Sequence, residues 1–309
     1  CDVVASTLSK CAFCVQYACV VIDESAQSIE PETFGAMIRV QKAVLIGDVQ
    51  QLPPTVLSTE GKKGGLEKSM FERLLLNKVP YALLTTQYRM HPQIAKFPND
   101  NFYAGKLLNG VSEDDRSDQR LQGILPNPLF PVMFVHCKGD EFYGVSGKSY
   151  GNSQEKEVVQ YLIDLFNRKG IKDNEIGIIS PYSTQRELLG VAHKTIEVAS
   201  VDGFQGNEKE FIIISCVRSN EQQGIGFLSD HRRLNVALTR AKRGLVIVGD
   251  AHTLISNQIF RNLMKYIYDR GNFVHVIKNE EMSGEGTPSL NETSHSSQSE
   301  DETEAEEYS

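Results

Sequence analysis

Short apolar runs bounded by turn residues recur along the chain: Cys19 to Ile22, Ala43 to Ile46, Val132 to Val135, Ile176 to Ile179, Phe211 to Ile214 and Leu245 to Val248. A continuous apolar run of four residues predicts a strand covered on both faces, and so a parallel sheet. Tyr81 to Leu84 predicts one more strand. Between the runs the period lengthens. Val158, Tyr161, Leu162, Leu165 and Phe166 recur at helical spacing within 154–168, and Glu67 to Asn77, Arg232 to Lys242 and Asn257 to Arg270 also predict helices. Strands alternating with helices give an α/β fold of doubly wound parallel sheets. A boundary near Thr85 to Tyr88 divides it into one sheet domain over 1–86 and a second over 87–278.

Composition changes the picture mainly at the end of the chain. The 309 residues carry a net charge of −8, but residues 279–309 hold ten acidic groups and no Lys or Arg, so the body carries +2. Poor in apolar residues and rich in Ser, Thr and Glu, this acidic tail is predicted to be disordered. The net acidity therefore does not exclude a nucleic-acid partner for the body. No run of eighteen apolar residues predicts a membrane span, and no charged-then-apolar leader predicts secretion. The first residue is Cys1 rather than Met, which suggests a truncated start. Of six cysteines only Cys11 and Cys14 have a metal-like spacing, without a second pair, so reduced thiols are expected, with Cys19 in the core.

The chemistry-bearing residues sit at strand ends. Asp23-Glu24 follows the run Cys19 to Ile22, at the carboxyl end where open α/β sheets bind ligands. Phosphate hydrolysis needs one carboxylate on Mg²⁺ and another to orient or deprotonate water, roles that suit Asp23 and Glu24. Gly47-Asp48 ends the next run and puts Gln51 on the same rim, able to report a γ-phosphate to the loop Leu52-Pro53-Pro54. Arg89 and Arg240 suit the stabilisation of charge on a transferring phosphoryl group. Tyr88 beside Arg89 could stack on a base. A G-x-x-x-x-G-K-[ST] loop should precede such a set, and none stands upstream of Asp23. Gly147-Lys148-Ser149 does not supply it, because the first glycine position is Phe142; it predicts a polar connection.

The order of these segments, Asp23-Glu24-Ser25-Ala26-Gln27, Gly47 to Pro54, Gln87-Tyr88-Arg89-Met90-His91-Pro92 and Leu234 to Arg240, resembles superfamily 1 helicases of the Upf-type group. Ser200-Val201-Asp202-Gly203-Phe204-Gln205-Gly206 and Gln223-Gly224-Ile225-Gly226-Phe227-Leu228 strengthen the resemblance, which covers about residues 1–278. It implies two RecA-like domains, the first truncated at its N-terminus, with ATP and Mg²⁺ in the cleft and single-stranded RNA across their tops. Asp23 would hold the metal, Glu24 would act as base, Gln51 as sensor, and Arg89 and Arg240 as arginine fingers. Tyr88 would meet adenine, Glu208 the ribose, and Gly206 would border the nucleotide. Thr7, Pro181, Tyr182, Ser200 and Val201 would line the RNA track. The family implies ATP-driven 5′-to-3′ movement in nonsense-mediated mRNA decay, surveillance proteins as partners and a cytoplasmic location. A related enzyme acting on DNA or RNA–DNA hybrids, or a non-catalytic RNA-binding scaffold, are the alternatives. Without the phosphate loop, this stretch by itself is expected to bind ATP poorly and to hydrolyse none.

Overall fold

The computed structural model describes residues 3–11, 17–145, 147, 149–277 and 289–292. The strands are β1 Cys19–Ile22, β2 Lys42–Leu45, β3 Thr86–Gln87, β4 Leu108–Asn109, β5 Val132–His136, β6 Glu141–Tyr143, β7 Tyr150–Asn152, β8 Ile176–Ile179, β9 Glu197–Ala199, β10 Lys209–Ser215, β11 Ala241–Gly249, β12 Phe273–Ile277 and β13 Ser289–Glu292. Leaving aside single turns and the short helix Thr59–Lys63, the helices are α1 Glu30–Met37, α2 Met70–Leu76, α3 Pro92–Phe102, α4 Ser153–Arg168, α5 Ser183–Ala192, α6 His231–Leu238 and α7 Gln258–Tyr268.

The large sheet has the order β13-β12-β5-β11-β10-β8-β9. Its strands from β12 to β9 run parallel, and β13 adds antiparallel to β12. Successive side chains of a strand point to opposite faces, and here both faces are covered. Val132 and Phe134 of β5, Ile212 and Ile214 of β10 and Leu245 and Ile247 of β11 pack with Ile94 and Phe97 of α3 and with Phe260 and Leu263 of α7. The residues between them, Met133, Val135, Phe211, Ile213, Val246 and Val248, pack with Val158, Leu162 and Phe166 of α4 and with Leu189 of α5. All six apolar runs are strands, and the doubly wound α/β reading holds. The Gly147 segment is the turn of the β6–β7 hairpin, closed by Gly144 N–H donating to Ser149 O at 2.9 Å. Of the acidic tail, residues 289–292 form β13; its remainder lies outside the described residues, as do Cys1 and Cys14.

Four expectations need correction. The paired strands β1 and β2 are not covered on both faces: Val21 is 62% exposed and Val44 48%, because among the described residues they pair only with each other. Cys19, expected in the core, is exposed for the same reason. Residues 81–84 form no strand, and the ladder begins instead at Thr86, which pairs with Leu108. The helix expected to reach Lys242 stops at Leu238, since Ala241 already pairs with Lys209 in the sheet.

The double cover around β5 makes its central side chain costly to truncate. Phe134 is fully buried and its ring stacks on Phe273 with centroids 5.1 Å apart. Phe134→Ala should destabilise the fold by about 3–5 kcal/mol, measured by urea denaturation.

Candidate nucleotide and nucleic-acid sites

Asp23 and Glu24 leave β1 at its carboxyl end, in a turn that only a close backbone approach allows. Ser25 N–H and Oγ both donate to Ile46 O, at 2.8 and 2.7 Å. A Cβ on Gly47 would stand 2.8 Å from Ala26 N, so no larger residue fits beside this crossing. Glu24 sits in the left-handed region at φ 51°, uncommon for a residue with a side chain. Its Oε2 accepts from Gln27 Nε2 at 2.7 Å, and Asp23 Oδ1 accepts from Glu24 N–H at 2.9 Å. Both carboxylates are exposed.

The loop after β2 is fixed by Asp48. Its Oδ2 accepts from Gln51 Nε2 at 3.0 Å and from Tyr103 Oη at 2.8 Å, while Oδ1 accepts from Gln50 N–H at 2.9 Å. Leu52 inserts into the core of the large sheet. The first segment is thus anchored to the second through this loop.

Opposite lies a cluster of cations at the amino end of β10 and β11. Arg240 occupies the turn between α6 and β11, only 3% exposed. It donates to Val236 O and to Thr239 Oγ1, both at 3.0 Å, and among the described residues makes no ion pair. Burial, then the neighbouring charge of Arg89, lower its pKa to about 10; Tyr103, Glu24 and Glu208 act against that. Arg89 is held by Glu208 at 2.5 Å and by Thr239 O at 3.2 Å. Glu208 also meets Lys242 at 2.9 Å. Its burial favours the neutral acid, but Lys242 and Arg89 outweigh that and hold its carboxyl below the usual range. Gly206, at φ 80°, makes the turn before it.

Tyr88 is exposed beside this cluster. Its ring lies over Gly110, where a Cβ would come within 2.2 Å. Arg116, which no motif marked, donates to Tyr88 O at 2.7 Å and Arg89 O at 2.8 Å and so fixes the backbone of both.

A separate cleft of about 520 Å³ opens at the carboxyl ends of the strands, between the loop Leu52 to Leu57 and the large sheet. Tyr150, Tyr182, Arg218, Phe227 and Arg233 line it. Arg218 lies over the Tyr150 ring at 4.3 Å and pairs with Glu141 at 2.9 Å; Arg233 lies over Phe227 at 5.5 Å. Of the residues expected on a nucleic-acid track, Tyr182 reaches this cleft. Pro181 precedes it after β8. Ser200 and Val201 follow β9, but Val201 packs in the core and Asp202 is the residue that lines the opening. Thr7, exposed ahead of the helical turn Leu8–Cys11, does not line it.

Arg218 is aimed by a buried polar clamp. Val217 before it has φ 71°, a strained state for a β-branched residue. Its N–H donates to both oxygens of Glu155, at 2.8 and 2.9 Å, and its carbonyl accepts from Asn152 Nδ2 at 3.1 Å. Ser215 Oγ also donates to Glu155, at 2.6 Å. Complete burial still pushes the Glu155 carboxyl up to about 8.

These features define an α/β protein with a buried arginine beside a half-buried one at the amino ends of its strands and a ring-lined cleft at their carboxyl ends. The chain belongs to the AAA-domain family, whose model matches residues 66–252, with a second AAA-domain model matching 1–59. It is homologous to regulator of nonsense transcripts 1. It is 43% identical over 263 residues to the homolog from Neurospora crassa, covering 81% of this chain and 24% of that protein. It is 41% identical to the ATP-dependent helicase NAM7 of Saccharomyces cerevisiae, over 83% of this chain and 28% of the relative. A solved arterivirus nonstructural protein 10 helicase in complex with DNA is similar at 14% identity and a TM-score of 0.44, over 80% of this chain and 44% of that one. The chain spans about a quarter of the length of the curated relatives it matches. Among the described residues no helix is long and apolar enough to cross a membrane, and no cluster of His, Cys, Asp and Glu is suited to a metal.

The raised Glu155 pKa has a definite sign. An unfolded Glu titrates near about 4.3. Between that value and about 8 the folded state holds the proton more tightly, so this contribution to stability is present at low pH and lost as pH rises through about 8. Glu155→Gln should flatten the fall of Tm between about pH 4.3 and about pH 8, measured by thermal unfolding across that range.

Proposed function

We propose that this chain carries the arginine-bearing side of an ATP site and the nucleic-acid cleft of a 5′-to-3′ RNA helicase acting in nonsense-mediated mRNA decay. The observation that carries the reading is Arg240. A buried guanidinium with no carboxylate partner among the described residues is costly unless an anion completes it. A nucleotide phosphate fits that need, and Arg89 stands beside it. The names of the relatives support the pathway; surveillance proteins as partners and a cytoplasmic location are part of the same proposal.

In this reading Glu24 orients or deprotonates the attacking water, Gln51 senses the γ-phosphate, and Arg89 and Arg240 stabilise charge on the transferring group. Tyr88 stacks on adenine, with Gly206 and Glu208 at the ribose side. The exposed Asp23 would hold Mg²⁺, which would supply neutralisation of phosphate charge. Glu208 must release Arg89 before that arginine can reach a phosphate. We place the boundary between two RecA-like domains near residue 86. In this reading the helicase activity needs a phosphate loop, which this sequence does not contain.

At the other edge the cleft offers rings and the cations Lys62, Arg218 and Arg233, each of them paired with a carboxylate. Such a surface suits single strands gripped by stacking, with little dependence on sequence. Phe227, 57% exposed and covered by Arg233, is its most accessible ring. Thr7, Pro181, Tyr182, Ser200 and Val201 belong to the same track in this reading.

Steady-state ATP turnover, with and without single-stranded RNA, tests the proposal. This chain alone should show none. In the full-length protein Arg240→Ala and Arg89→Ala should each lower RNA-stimulated turnover by about a thousandfold or more. Unchanged turnover in either variant would remove that arginine from the site. Greater stimulation by single-stranded DNA than by RNA would favour the DNA-directed alternative. Phe227→Ala should weaken single-stranded RNA binding by about 1–3 kcal/mol across sequences, measured by fluorescence anisotropy at fixed salt.

A further inference from the structure

We propose that Tyr103 is a positioning residue that links the Asp48–Gln51 loop to the arginine turn, so that the two sides of the nucleotide site respond to each other. The inference rests on the ATPase reading above and goes beyond it by naming the physical connection. Tyr103 follows α3 and belongs to no motif. Its hydroxyl donates to Asp48 Oδ2 at 2.8 Å and accepts from Asn235 Nδ2 at 2.9 Å. The same Asp48 oxygen takes the Gln51 amide at 3.0 Å. Asn235 Nδ2 also donates to Gln50 O at 2.9 Å.

The connection continues through α6. Asn235 is fully buried, and its carbonyl accepts from Thr239 Oγ1 at 2.9 Å, which in turn accepts from Arg240 Nη2 at 3.0 Å. An unbroken series of hydrogen bonds thus runs from Gln51 through Asp48, Tyr103, Asn235 and Thr239 to Arg240. Its inner members, Asp48, Tyr103, Asn235 and Thr239, are short side chains or a ring with few rotamers, so a shift between them has few ways to dissipate. Burial, and then the charge of Asp48, raise the pKa of the Tyr103 hydroxyl, which therefore stays protonated and able to donate.

The series has a defined response to a ligand. When Gln51 turns its amide towards a phosphate oxygen, Asp48 Oδ2 loses one of its two side-chain donors and Tyr103 becomes the other. A shorter Tyr103–Asp48 bond draws on the Asn235 amide and on the turn that holds Arg240. A tyrosine placed only to fill space would make the ring contacts without the two hydroxyl bonds. Here the hydroxyl joins the Asp48 side chain to Asn235, beside the direct bond from Asn235 Nδ2 to Gln50 O.

Tyr103→Phe in the full-length protein keeps the ring and removes both bonds. ATP turnover at saturating single-stranded RNA should fall about tenfold, the rate equivalent of one hydrogen bond, with the KM for ATP within about twofold. RNA affinity should be unchanged. Affinity for ADP with a metal fluoride, which imitates the transferring phosphoryl group, should fall while that for ADP alone does not. A purely structural role would lower Tm and leave these ratios alone; that result overturns the inference. Should Tyr103→Phe fold poorly, Asp48→Asn provides the second arm, because one of its terminal atoms becomes a donor facing donors. The double variant should lose no more than the worse single one, and additive losses overturn the coupling. Parent protein without any RNA-stimulated turnover would instead sink the ATPase reading, a result distinguishable from a parent that turns over and a variant that matches it.

Discussion

The buried charge of Arg240 is the constraint around which the second half of the chain is arranged. A guanidinium out of water needs its donors satisfied, and α6 supplies two acceptors by stopping short. The helix ends at Leu238, Thr239 folds its hydroxyl back onto the Asn235 and Val236 carbonyls, and Arg240 donates to Val236 O and Thr239 Oγ1. The strand then begins at once with Ala241, so the turn is clamped between a helix end and a sheet. Arg89 is brought to the same place from 150 residues away by its bond to Thr239 O. Two like charges so close repel, and the carboxylate of Glu208 on Arg89 offsets that repulsion.

The two edges of the large sheet then divide the labour. Its amino edge gathers Arg89, Glu208, Arg240 and Lys242, a cluster that suits phosphate. Its carboxyl edge gathers Tyr150, Tyr182, Arg218 and Phe227, a cluster that suits rings. The strands between them are packed on both faces. The strained Val217 belongs to this arrangement. Its left-handed backbone is held by a fully buried carboxylate, and it turns Arg218 onto the Tyr150 ring.

Much of the fold was legible because the large sheet is buried on both faces, and continuous apolar runs report that condition directly. β1 and β2 have the same kind of sequence, Cys19-Val20-Val21-Ile22 and Lys42-Ala43-Val44-Leu45, yet they stand half uncovered. The residues state a demand for cover, which the described chain does not meet. The helix expected to Lys242 ends early because Ala241 already pairs in the sheet, and Lys242 meets Glu208 from within a strand. Tyr81 to Leu84 have the right composition for a strand and no neighbour to pair with. At the site, Asp23, Glu24, Gln51, Arg89 and Arg240 were visible as motif members. Tyr103 was not, because its partners Asp48 and Asn235 lie 55 and 132 residues away. Nor was Arg116, which acts through two backbone carbonyls and so leaves no side-chain pattern.

The central claim is that Arg240 and Arg89 together await a phosphate, with Glu208 holding Arg89 until one arrives. A structure of the full-length protein bound to ADP and aluminium fluoride tests it most directly. The account predicts that both guanidinium groups contact the fluoride and that the Arg89–Glu208 pair is broken. An Arg89 still paired with Glu208 and an Arg240 still bound only to Val236 O and Thr239 Oγ1 would contradict it.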